Sequence, residues 1–138
     1  MSGVQRVPPL RPSFTVLPWP DAAALMRRTA DEHPSHRHMA DIVDSVIASR
    51  STDLLAASTS MHDLIVVPVP VTEPVYESVI VRAPSSLDPP RQRHVLIEHL
   101  ASNGRNERIE RPVEEAVPLF WRFMADKYGI RPVEPPPA

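Results

Sequence analysis

The side chains able to do chemistry fall in three short stretches. Ser60, His62 and Asp63 supply the three residue types of a hydrolytic triad. His33, His36 and His38, beside Asp31, Glu32 and Asp41, have the density of imidazole and carboxylate that a divalent metal accepts. His94, Glu98 and His99 spell His-x-x-x-Glu-His, one residue longer than the inverted zinc-protease motif.

Each constellation has to satisfy its own geometry. His62 and Asp63 are neighbours in a stretch that reads as a strand, so they project from opposite faces and cannot orient one another. His94 and Glu98 share a strand face while His99 takes the other, which removes the zinc site. On the helix expected after Pro34, His38 and Asp41 share a solvent face, His36 points elsewhere and His33 belongs to the preceding element. That corner therefore reads as solvated, and no metal is expected. The sequence has no Gly-x-Ser-x-Gly elbow and only 3 glycines, so a phosphate-cradling loop is excluded, and with it the P-loop and Rossmann enzymes. No catalytic residue and no cofactor is expected.

What remains is Glu98, a charge set inside an apolar strand. Arg82 on the preceding strand, and Arg105, Arg108 or Arg111 beyond the next turn, are its candidate partners. The preferred reading is a cross-strand ion pair. The functional alternative is a pocket between sheet and helices, formed by Arg82, His94, Glu98 and Arg105, with Glu98 or His94 tuned for acid–base work.

The elements that must position these groups can be read in order. Residues 1–20 form a proline-rich arm, in which Arg6 to Pro12 matches a short polyproline ligand pattern by spacing alone. Phe14, Val16, Leu17 and Trp19 are too apolar for a solvated tail and are expected to dock. Residues 21–130 are expected to form one α+β domain. Asp21 is placed to cap a helix to about His33, and Ser35 a second from 36 to 49, where Met39, Ile42, Val43, Val46 and Ile47 recur at helical spacing. Residues 53–58 are ambiguous between strand and helix tail.

Strands are expected at 62–71, 77–83 and 93–101, with a last one after Asn103-Gly104. Pro68 and Pro70 make the first of these an edge strand, or a central one only up to about Val67. A two-residue type I′ turn at Asn103-Gly104 would set Glu98 opposite Ile109. The C-terminal helix starts near Pro112, kinks or restarts at Pro118, buries Val117, Phe120, Trp121, Met124 and Tyr128, and stops at Gly129. Residues 131–138 read as a disordered proline-rich tail. The expected fold is thus an antiparallel sheet of four or five strands with two N-terminal helices and one C-terminal helix packed on it.

At 138 residues the chain can bury a core without metal or disulfide staples, and it contains no cysteine. A net charge of −2 disfavours nucleic acid as a partner, although Arg105, Arg108 and Arg111 keep that reading as a third possibility. The longest apolar run, Leu64 to Val71, contains two prolines and is too short to span a bilayer, so a cytoplasmic protein without a membrane partner is expected. Surplus apolar and aromatic segments make Trp19, Phe120, Trp121 and Arg122 candidate interface residues. The function expected first is a small non-catalytic interaction or regulatory module, associating with itself as a homodimer or with another protein. A small enzyme or ligand-binding protein built on the Glu98 pocket is the alternative.

Overall fold

The computed structural model describes residues 14–72, 75 and 77–134. The proline-rich stretch before Phe14, with its polyproline-like pattern, and the last four tail residues lie outside them. The chain runs α1 (Trp19–Glu32), a 3-10 turn (Pro34–His36), α2 (Arg37–Ala48), then β1 (Leu55–Ser60), β2 (Asp63–Pro68), β3 (Ser78–Arg82), β4 (His94–Leu100) and β5 (Glu107–Pro112). A 3-10 turn (Val113–Glu115) leads into α3 (Ala116–Phe123), whose last turn widens to a π-helix at Met124–Tyr128. The five strands form one antiparallel sheet in sequence order. This is the α+β arrangement expected of two N-terminal helices, a meander and a C-terminal helix.

Strand alternation sorts the sheet into two faces. Leu55, Ala57, Leu64, Val66, Val79, Val81, Val95 and Ile97 join Trp19, Met26, Met39, Ile42, Val43, Phe120, Phe123 and Met124 in one core, so the helices cover one face. The other face carries a smaller cluster of Phe14, Ala56, Ile65, Val67, Val75 and Ile80, with no helix residue in it. Leu96, Glu98 and Arg82 share that second face, where Ile80 pairs with Glu98 and Arg82 with Leu96.

Several boundaries move for local reasons. Helix α1 begins two residues before Asp21 because Pro20 sits in the first turn, where its missing N–H has no partner to lose. Ser35 does not cap α2; it belongs to the 3-10 turn that runs straight into the helix. The ambiguous 53–58 stretch becomes strand β1 from Leu55. Strand β2 is central, paired on both sides, and Pro68 falls at its end, beyond the Leu64–Val66 stretch that β3 uses.

The hairpin register is off by one from expectation: Glu98 faces Arg108, not Ile109. Gly104 has φ +79° while Asn103 does not enter the left-handed region, so the turn is not type I′. Instead the Gly104 N–H closes on the Ala101 carbonyl at 3.0 Å, and the Asn103 and Asn106 side chains accept the Arg105 and Ala101 N–H groups. Those side-chain bonds stabilise a longer loop centred on Asn103. Pro118 is the third residue of α3, and Gly129 ends the helical segment at φ +66°. Residues Arg131 to Glu134, expected to be disordered, lie back on the α2–β1 corner. There the Val133 N–H reaches Ser51 Oγ at 3.1 Å and the Glu134 N–H reaches the Ser49 carbonyl at 2.8 Å.

Candidate functional site

Glu98 is 8% exposed and meets Arg82 from the neighbouring strand, Arg82 Nε donating to Glu98 Oε2 at 2.6 Å. The pair belongs to a closed ring. Arg82 Nη1 also donates to Asp63 Oδ2 at 3.1 Å, and Asp63 accepts the Ala83 N–H and the Ser86 hydroxyl at 2.8 and 2.9 Å. The Ser86 hydroxyl takes the Asp88 N–H at 3.3 Å, the Asp88 carboxylate receives both terminal nitrogens of Arg108 at 2.6 and 3.1 Å, and Arg108 returns to Glu98 Oε1 at 3.4 Å. Burial opposes the charge on Arg82, but the bonds from Glu98 and Asp63 outweigh it and its pKa is raised. Arg108 likewise holds Asp88 below the usual carboxylate range.

This ring pins the 83–93 loop against the sheet face opposite the helices. The expected pocket lay between sheet and helices; alternation puts Glu98 and Arg82 on the other face, and their hydrogen-bonding capacity is used within the chain. His94 and Arg105 do not join them. His94 lies at the far end of β4 with its Nδ1 2.8 Å from the Gln92 carbonyl, and Arg105 is exposed at the hairpin tip.

The histidine corner is not solvated. His36 and His38 are 5% and 6% exposed, although His33 stays exposed. His36 Nε2 lies 3.0 Å from Ser85 Oγ, which is also 3.3 Å from His62 Nδ1. Burial first, then His62 and His33, depress the His36 pKa. Burial, seconded by His36, pushes His38 down to about 4. His38 Nε2 is buried with no hydrogen-bond partner. Among the described residues no three His, Asp or Glu side chains converge as metal ligands.

His38 lines a groove of about 820 Å³ between the 34–41 corner and the 84–94 loop. Its wall includes Pro34, Pro84, Pro89 and Pro90, and its charged rim Arg37, Arg91, Arg93, Asp41 and Glu114. Arg91 is taken by Glu110, whose carboxylate accepts its Nε at 2.7 Å and its N–H at 2.8 Å. Arg37 and Arg93 form no ion pair among the described residues. Arg93 stands at φ +62°, a conformation a side-chain-bearing residue adopts only where its surroundings enforce it. His94 also lines this groove, not a pocket between sheet and helices.

Three of the four interface candidates are core. Phe120 is fully buried; Trp19 donates its indole N–H to the Leu55 carbonyl at 2.8 Å; Trp121 donates to Ser45 Oγ at 3.0 Å. Two polar partners for two indoles explain why both rings could be drawn inside. Only Arg122 remains exposed. Arg108 was among the partners expected for Glu98; Asp63, Ser86 and Asp88 were not expected in the ring. Asp63 was visible as an acid opening an apolar strand; Ser86 and Asp88 sit in a loop whose path no local signal fixes. Compared with known protein families, curated proteins and solved structures, the chain matches none of them. No helix among the described residues is long and apolar enough to cross a membrane.

Proposed function

We propose that this chain is a small non-catalytic interaction module that works through association with a second copy of itself. The observation that carries this reading is the unequal treatment of the two sheet edges. On β1 the chain's own arm lies alongside, Leu17 donating its N–H to the Ala57 carbonyl at 2.8 Å, whereas β5 has no neighbour beyond it among the described residues. An exposed edge strand offers a row of backbone donors and acceptors to another chain. The Glu98 constellation gives no support to an enzyme, because Arg82 holds both Glu98 and Asp63. Native mass spectrometry of the untagged full chain tests the reading: a dimer or higher multiple with no added mass supports it, and a monomer at every concentration overturns it.

A second reading is ligand binding in the 820 Å³ groove. It is favoured by the partnerless His38 Nε2 and by Arg37 and Arg93, whose charges call for a small anionic ligand. A stoichiometric organic adduct in the same spectrum, lost on Arg93→Ala, is its expected signature.

A further inference from the structure

We infer that β5 is a self-pairing edge: two copies join their β5 strands antiparallel about a two-fold axis at Ile109, forming one continuous sheet. This rests on the self-association reading above and specifies its surface and register.

The direction of the backbone groups decides which registers are open. The Val113 N–H donates to the Arg93 carbonyl at 3.0 Å. Along an antiparallel strand this direction alternates residue by residue, so Arg111, Ile109 and Glu107 aim their backbone groups at β4. Arg108, Glu110 and Pro112 aim theirs outward. Pro112 has no N–H to offer, and its place on the outward side costs β4 nothing. A second β5 can therefore pair only in registers that set Arg108 and Glu110 against its own outward-aimed residues.

Three such registers are centred on the strand. One sets Arg108 against the second copy's Arg108, and another sets Glu110 against the second copy's Glu110; both face like charges. The third sets Arg108 against the second copy's Glu110, Glu107 against its Arg111, and Ile109 against its own counterpart. That register alone puts an opposite charge across every ionised position. It also respects the sheet faces. Arg108 and Glu110 lie on the ring side, while Glu107 and Arg111 flank Ile109 on the side where Ile109 packs against the main core. The strand Glu107-Arg-Ile-Glu-Arg111 is its own complement when reversed, which a closed two-fold contact requires. Arg111 is exposed and reaches only the Glu110 carbonyl within its own chain, while Arg108, Glu110 and Glu107 each also pair within it, with Asp88, Arg91 and Lys127.

The test is sedimentation velocity on the full chain across a concentration series. Wild type is expected to dimerise reversibly. Glu107→Arg and Arg111→Glu each set like charges across both halves of the junction and are expected to weaken the dimer at least about tenfold. An equimolar mixture of the two variants is expected to recover wild-type association, because every facing pair is again opposite in sign. The chain has no cysteine, so Ile109→Cys provides a single probe: facing residues at a non-hydrogen-bonded position lie about 4.5 Å apart, within disulfide reach. Mild oxidation is expected to link Ile109→Cys into a dimer and to leave Arg111→Cys unlinked. A dimer indifferent to both charge variants and not trapped by Ile109→Cys overturns the β5 junction while self-association stands. A monomer throughout overturns both.

Discussion

The two edges of this sheet solve one problem in opposite ways. At β1 the chain wraps its own edge: Phe14 packs on one face, Leu17 bridges to Ala57, and Trp19 enters the core on the other face. At β5 there is no such cover among the described residues, only alternating Glu and Arg ending in Pro112. Covering an edge blocks every partner alike. Charging an edge blocks only those whose charges do not match, and the β5 pattern matches its own reverse. The contrast separates a structural edge from a selective one, and each half of it can be attacked.

Trp19→Ala is expected to have the largest effect. It removes a ring that is 6% exposed and strands the Leu55 carbonyl, and should cost about 3–5 kcal/mol in a urea titration. A loss below about 1 kcal/mol would mean that the arm is draped over β1 rather than sealing it.

Acid acts on the fold as a whole and sets the pH at which the edges can be compared. His38 binds its proton near pH 4 in the folded chain and near the ordinary histidine value of about 6.5 when unfolded. Between those values the unfolded state holds more protons, so stability rises with pH. Its contribution, about 3 kcal/mol, is complete above pH 6.5 and is lost as pH falls through 4. Burial depresses His36 and His99 in the same direction. Thermal unfolding at stepped pH should show this slope, and His38→Leu should flatten it; an unchanged slope would rule out His38 as its source. Association assays belong above this window.

Glu98→Gln comes next. It preserves shape but removes the charge that holds Arg82 and that supports Arg108, whose bonds to Asp88 tie β5 to the 83–93 loop. The expected loss is about 1–3 kcal/mol by chemical denaturation, with secondary structure retained. No loss would make the ring a solvated surface network, despite the 10% exposure of the Glu98 side chain.

What the sequence could convey follows the range of the physics involved. Periodicity and turn residues act locally, and they located the three helices and strands β2 to β5 to within a few residues, leaving β1 ambiguous. The Glu98–Arg82 contact was legible because adjacent strands bring their charges together. Register was harder: Asn103-Gly104 marks a turn, but the Asn103 and Asn106 side-chain bonds lengthened the loop and exchanged Ile109 for Arg108 opposite Glu98. Burial of His36 and His38, and the polar partners of the Trp19 and Trp121 indoles, could not be read, since each depends on groups far away in sequence, such as Ser85, Leu55 and Ser45. The charge palindrome of β5 was present from the start. It became meaningful only once β5 proved to be an outer strand and the direction of its backbone groups was fixed.

The smallest expected change in stability is therefore the most informative about the open edge. Arg111 is exposed, and its guanidinium reaches only the carbonyl of the preceding residue, so Arg111→Glu should leave the unfolding free energy within about 0.5 kcal/mol of wild type. The same substitution should weaken the dimer at least about tenfold, a separation of folding from association that Trp19→Ala cannot give. If Arg111→Glu lowers stability and dimer affinity together, the charge belongs to the fold and β5 is an edge protected like β1. If affinity alone falls, the edge left uncovered is the one that selects a partner.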